Sequence, residues 1–365
     1  MKLFWTIFVC LCFTQTLQAS TTPAIPASLQ TFIAKLEVEK NTIQGCAIAV
    51  LYKGHVVYQS TQGYQKGSIG SITPQTLFPV ASLSKAITST AVALMVDRGV
   101  IDLRQPITLP ELKHAVTLKD ILSHTTGYAF GGNSQIESGL SRPQLMAALK
   151  AQKPRCKPGR CYTYSNALFS LVDEALILQH SSLHKAIANM RHALKVDGIQ
   201  LLPLPRGAMV AFPHEYDKKM DSIKTLPFPP YYPKTVPASA GIFASLESVI
   251  AFARLSFGYR PDLIAQKTLD VFHTPVSDNR QIQTWFPNWP VPMDKVRSSY
   301  AFGWRIVDID YKPASTMIFH GGMIAGINTF VGFIPAHDVA LIILANEQTP
   351  FVMKEAGAFW AAFIK

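Results

Sequence analysis

Ser82-Leu83-Ser84-Lys85 sets a hydroxyl and an amine three residues apart. On a helix these two side chains share a face and lie within reach of each other. A serine hydroxyl attacks a carbonyl poorly without a neighbouring base, and a lysine whose pKa is lowered by burial can be that base. The pair follows the strand-like Leu77-Phe78-Pro79-Val80 and opens a helical pattern over 87–98, whose N-terminus offers N–H groups to an oxyanion. Spacing alone is a weak signal, because Ser182-Leu183-His184-Lys185 repeats it. There Ser182 follows a polar loop and reads as a helix N-cap.

Two further groups accompany the first pair. Tyr164-Ser165-Asn166 is the one Tyr-x-Asn in the chain and follows the turn signal Lys157-Pro158-Gly159. A phenol coupled to a lysine can shuttle a serine proton, and an asparagine amide can hold both a lysine and a substrate carbonyl. His320-Gly321-Gly322 comes directly after a strand-like run and before Met323-Ile324. Glycines there would let a substrate backbone lie along the strand edge. Each group alone also has an ordinary reading, as a loop tyrosine with a turn asparagine, or as a His-Gly-Gly turn. A phosphate loop at Gly321, Gly322 and Gly326 is excluded because the Gly-Lys-Ser/Thr ending is missing. With no His-Glu-x-x-His and no paired Cys-x-x-Cys, neither a metal nor a cofactor is implied.

The elements that must position these groups fall in a clear order. Apolar residues Leu29, Phe32, Ile33 and Leu36 predict an amphipathic helix over 27–39. Residues 46–52 and 55–58 read as a β-hairpin turning at Lys53-Gly54. Four strand-like runs near the C-terminus, 300–307, 316–319, 328–334 and 339–344, lack intervening helices and argue for an antiparallel sheet. A helix over 351–365 closes the chain. The middle section reads as helices, including 87–98 and 141–152, and loops, with a proline-rich return over 227–237. The expected fold class is α/β of the α+β kind: a sheet built from both chain ends, 20–84 and 232–365, around an inserted helical subdomain at 85–231.

Residues 1–19 combine Lys2, a short apolar run and Leu17-Gln18-Ala19, the pattern of a cleaved export signal. No later segment is long and apolar enough to span a bilayer. Export would expose Cys46, Cys156 and Cys161 to an oxidising compartment. Cys156 and Cys161 stand close enough for a small loop-closing disulfide, while two reduced buried thiols fit the spacing equally well. The net charge of +11 is scattered, without basic runs or a nucleic-acid motif, so it is read as a surface property.

Taken together, Ser-x-x-Lys, Tyr-x-Asn and His-x-Gly in this order resemble the signature of the serine β-lactamase and penicillin-binding superfamily, in its class C branch. Leu122-Ser-His-Thr-Thr-Gly127, Ala238-Ser-Ala-Gly241, Phe302-Gly-Trp304, and Phe333-Ile-Pro335 through Leu344-Ala-Asn346 are similar to the family in the same order. The resemblance implies the β-lactamase/transpeptidase-like fold. It also implies Ser82 as acylated nucleophile, Lys85 as its activator, Tyr164 as acid/base, Asn166 as substrate-amide ligand, and the N–H groups of Ser82 and Met323 as oxyanion hole. Gln135, following Gly131-Gly132, would correspond to a glutamine above the site. His124 and Trp304 lie in family-like stretches and are assigned to structure.

The substrates so implied are β-lactams, acyl-D-Ala-D-Ala-type peptides or esters, taken by a periplasmic or secreted monomer without nucleic-acid partners. An esterase, a D-amino-acid peptidase and a non-turnover penicillin-binding sensor are the alternatives. One departure stands out: His320-Gly321-Gly322 replaces the Lys-Thr-Gly of class C enzymes. An ordinary histidine is mostly neutral above pH 7 and charged near pH 6, so binding of anionic substrates is expected to improve on acidification.

Overall fold

In the computed structural model, which describes residues 23–364 except 218, 229–230, 279–291 and 311–314, Lys53 and Gly54 both take left-handed backbone angles (φ 49° and 73°). Two such residues make the turn that suits twisted antiparallel strands. It joins β1 (Gly45–Tyr52) to β2 (His55–Lys66), which runs well past the expected end at residue 58. The export signal expected over 1–19 lies outside the described residues.

β3 (Ile69–Ser71), β4 (Ser277–Asp278), β5 (Val296–Tyr300), β6 (Arg305–Ile309), β7 (Ser315–Ile324), β8 (Ile327–Ile334) and β9 (Val339–Ala345) complete the main sheet. Its order is β3-β2-β1-β9-β8-β7-β6-β5-β4, antiparallel throughout. The two ends of the chain therefore meet at its centre, with Cys46 opposite Ala345 and Tyr52 opposite Val339.

Side chains of a strand alternate between faces, and here both faces are covered. Ala47, Ala49 and Leu51 enter one buried cluster; Cys46, Ile48 and Val50 enter the other. The second cluster includes Leu29, Phe32 and Leu36 of α1 (Ala27–Glu39) and Phe359 and Trp360 of the closing helix Phe351–Ala361. The first is filled largely by α2 (Ser84–Asp97), whose residues 84–95 are all buried. A helix enclosed on every side can carry polar residues only if each finds a partner. Thr88 and Ser89 donate to the carbonyls of Ala238 and Phe302, and Thr90 is bonded to Ser256.

Three expectations need correction. Residues 300–307 form not one strand but the ends of β5 and β6, because the chain turns at Gly303 (φ 71°). A Cβ at that position would sit 2.6 Å from the Lys85 carbonyl, so the turn rests directly on α2 and tolerates no side chain. His320-Gly321-Gly322 lies within β7 rather than after a strand. The section 85–231 is not wholly helical: it holds the hairpin His214–Asp217 with Ser222–Thr225, and Ile199–Gln200 joins a small sheet with Phe78–Pro79 and Phe243–Ala244. Its buried side chains merge with those of the main sheet in a single cluster.

Candidate active site

Ser82 sits in a single 3-10 turn, Ala81–Leu83, that leads straight into α2. Ala81 holds a left-handed backbone (φ 49°), a conformation costly for a residue with a Cβ, which surrounding bonds must enforce. Those bonds are Val80 N–H to Ile242 O, Thr329 Oγ1 to Val80 O, and Ile242 N–H to Ser84 Oγ. Ser82 is partly exposed, while Ala81, Leu83, Ser84 and Lys85 are buried.

Lys85 Nζ lies 3.1 Å from Ser82 Oγ, 2.6 Å from Asn166 Oδ1 and 2.9 Å from the Ser239 carbonyl. Burial drives its pKa well below the usual lysine range, and the Arg305 guanidinium pushes it further down. A neutral amine has two N–H donors and one lone pair. Asn166 Oδ1 and Ser239 O can only accept, so they take both donors. The lone pair is left for the Ser82 hydroxyl. The geometry thus suits proton removal from Ser82 by Lys85.

Tyr164 covers the other side. Lys85 Nζ stands 4.6 Å from its ring centre, and its hydroxyl faces Ser82 and Arg305. Burial raises the phenol pKa, and the positive charge of Arg305 and the bonding to Ser82 and Arg305 partly offset that rise. A lysine shifted down and a tyrosine shifted up, from ordinary values that nearly coincide, are driven apart in proton affinity around one hydroxyl.

Tyr164 and Asn166 are delivered by one short segment. Ser165 between them caps the helix Asn166–Phe169 through Leu168 N–H. Its own N–H donates to His124 Nδ1, and the His124 ring lies tilted against that of Tyr164, their centres 4.4 Å apart. His124 (φ 60°) is therefore a structural clamp, as its sequence setting indicated. The loop leading in is closed by a Cys156–Cys161 disulfide, and Gly159 N–H donates to Thr125 O. Cys46 remains a free thiol, pushed up to about 12 by burial.

Gly322 lies against the turn that carries Ser82: a side chain there would collide with Val80 O and Thr329 Oγ1 and crowd Leu83 N. The backbone this glycine admits on that side is the protein's own Ser82 turn. The next residue, Met323, thus stands beside the Ser82 turn, with its side chain turned to solvent.

His320 departs furthest from expectation. It is fully buried, with Nδ1 2.7 Å from Gly321 O and Nε2 3.2 Å from Tyr300 Oη. The carbonyl must receive a proton from Nδ1, leaving Nε2 to accept from Tyr300. Both ring nitrogens are used within the protein. Burial first, then the Arg305 charge, holds its pKa well below 6.5. His320 therefore does not become the cation near pH 6 that an exposed histidine would be.

Among the described residues, Gln135 makes no hydrogen bond to Ser82, Lys85, Tyr164 or Asn166. It lies in the short helix Asn133–Glu137, where its side-chain oxygen accepts from Ser134. Asn166 Nδ2 instead donates to Asn133 Oδ1 at 2.7 Å. Asn133, the Ser239 carbonyl and Arg305 were not singled out from sequence. Arg305 is almost wholly buried, with its guanidinium 5.1 Å from the Tyr164 ring and 5.7 Å from that of Tyr300. Its place directly after Phe302-Gly-Trp304 was the only available hint.

With this geometry in view, comparison with known proteins is decisive for the family. The family model described as Beta-lactamase matches residues 33–181 and 192–363. The chain belongs to that family, within the serine β-lactamase and penicillin-binding superfamily, and is a serine hydrolase. It is 25% identical over 339 residues to a beta-lactamase of Escherichia coli (strain K12), covering 86% of each chain. The fold is similar to that of an octameric penicillin-binding protein homologue from Pyrococcus abyssi (TM-score 0.72, 18% identity, 91% of this chain and 77% of that one). It is also similar to that of a class C beta-lactamase mutant (TM-score 0.67, 21% identity, 91% and 95%). Among the described residues no helix is long and apolar enough to cross a membrane, and no group of three or more His, Cys, Asp or Glu side chains could hold a metal ion.

Proposed function

We propose that this serine hydrolase works through an acyl-enzyme on Ser82, in the class C manner, on β-lactams or acyl-D-Ala-D-Ala-type peptides. The observation that carries the reading is the fully buried Lys85 amine, within hydrogen-bond distance of Ser82 Oγ, Asn166 Oδ1 and the Ser239 carbonyl. Lys85 takes the hydroxyl proton as Ser82 attacks the carbonyl carbon. The N–H groups of Ser82 and Met323 receive the oxyanion. Tyr164 gives its own proton to the leaving nitrogen and regains one from the water that attacks the acyl carbon, and Lys85 returns its proton to Ser82 Oγ as the acyl group leaves. Asn166 orients the substrate amide. Export through residues 1–19 completes the reading, and the Cys156–Cys161 bond suits an oxidising compartment.

A second reading, esterase or D-amino-acid peptidase activity, is favoured by His320. A buried neutral ring with both nitrogens engaged offers a substrate carboxylate no charge. Incubation with a fluorescent penicillin, a chromogenic cephalosporin and a short-chain ester tests both. Covalent label with cephalosporin turnover is the expected result. Ester turnover without any β-lactam label replaces the first reading by the second, and label without release of any product leaves a non-turnover sensor.

A further inference from the structure

Away from Ser82, a cavity of about 830 Å³ opens between the end of β2, β3 and the segment 202–212. Its size falls in the range of sites that enclose a whole small molecule. Ile69, Leu202, Leu204, Val210, Phe212 and Phe228 make most of its wall. The polar side chains on it are Gln65, Lys66 and Lys234, and no acidic side chain lines it.

The wall is built rather than incidental. Phe212 N–H donates to Gln65 O, and the segment is tied to the core by Leu77 N–H to Met209 O and Ala211 N–H to Leu77 O. Phe228 packs on Phe212 and stacks at 5.3 Å on the buried Phe243. At the rim, the Lys66 ammonium sits 4.9 Å from the centre of the Phe212 ring. Among the described residues, neither Lys66 nor Lys234 is in an ion pair.

We propose that this cavity binds an anionic amphiphile, its alkyl chain against the apolar wall and its negative head between Lys66 and Lys234. An apolar wall of this extent is favourable to fill with hydrocarbon and unfavourable to leave wet. Two cations at the rim with no carboxylate among the lining residues select a negative head over a positive one. The mechanism on Ser82 uses none of these residues.

Titration calorimetry of the full chain with dodecanoate tests the site. One saturable site is expected, with decanoate about ten-fold weaker for its two fewer methylenes. Dodecyltrimethylammonium is expected to bind at least about five-fold more weakly than dodecanoate. Ala208→Trp, which fills the cavity from its wall, abolishes binding, and Ser82→Ala leaves it unchanged. Should Ala208→Trp fail to fold, the double variant Lys66→Glu with Lys234→Glu must reverse the preference between the two dodecyl probes. Absence of saturable dodecanoate binding, equal affinity for both head groups, an unaltered preference in the double variant, undiminished binding in folded Ala208→Trp, or loss of binding in Ser82→Ala overturns the proposal.

Discussion

The chain carries the Ser-x-x-Lys spacing at 82–85 and at 182–185, and the two places fold to different ends. At the second, Ser182 Oγ accepts the Lys185 backbone N–H at 3.2 Å and caps the helix Leu183–Leu194. The Lys185 side chain is exposed. At the first, the lysine points inward, loses its hydration and has oxygens of Ser82, Asn166 and Ser239 as its hydrogen-bond partners. Spacing brings two side chains to one helix face in both. Only burial converts the amine into a base, and burial is decided by distant segments: Asn166, Ser239 and Arg305 close over Lys85.

The sharpest way to break this contrast is to remove each hydroxyl in turn. Ser82→Ala is expected to abolish labelling by a penicillin or fluorophosphonate probe and to lower kcat/KM about 10⁴-fold or more. Ser182→Ala is expected to keep full labelling while losing about 1 kcal/mol of stability as a lost cap, read by thermal melting. Labelling that survives the first change and vanishes in the second would invert the assignment.

The lysines come next in size. Lys85→Met should lower kcat by about 10³-fold, as loss of a general base does, and Lys185→Met should leave it unchanged. Because burial and Arg305 lower the Lys85 pKa, the acidic limb of the kcat/KM profile should lie far below the ordinary lysine range. A limb near pH 10 would mean that Lys85 is not the base.

A smaller effect is expected from Gly322→Ala. The added methyl must push β7 off the Ser82 turn, so kcat should fall about 10²-fold with a lower melting temperature. Unchanged turnover would separate the strand from the oxyanion role proposed for Met323.

The smallest effect is on pH dependence. His320 and His124 are buried with pKa values depressed below 6.5. The unfolded chain then binds more protons than the folded one as pH falls through 6.5, so stability is lost on acidification and regained above it. The melting temperature should drop by several degrees between pH 7 and pH 5. Over the same range, kcat/KM for an anionic cephalosporin should not rise relative to a neutral ester. A selective rise would restore the carboxylate-binding role that an exposed His320 would have had.

These contrasts mark how far sequence reading reached. Ser82, Lys85, Tyr164 and Asn166 were legible because each pair is local, with its geometry set by a helix start or a three-residue segment. The hairpin at Lys53-Gly54 and the strands from both chain ends were legible from their apolar patterning and turn residues. The split at Gly303 was not, since the backbone it rests on, the Lys85 carbonyl, is far away in the chain. Nor was the setting of His320, which depends on Tyr300 and Arg305 from two other strands. Asn133, the partner of Asn166 Nδ2, was not legible either, since nothing local to it in sequence marks a contact with a segment 33 residues on.

The pairing of β1 with β9 bears on how the molecule comes into being. β1 is buried along almost its whole length and has neighbours on both edges, one of them made from residues 339–345. During synthesis its β9 edge and its apolar faces stay uncovered until nearly the whole chain exists. Pairings between such distant segments are slow to form, and a bare apolar edge is a template for other chains. The centre of this sheet is thus the last part to close and the first exposed to aggregation, so a chain truncated before residue 339 should collect as aggregates rather than as a smaller enzyme.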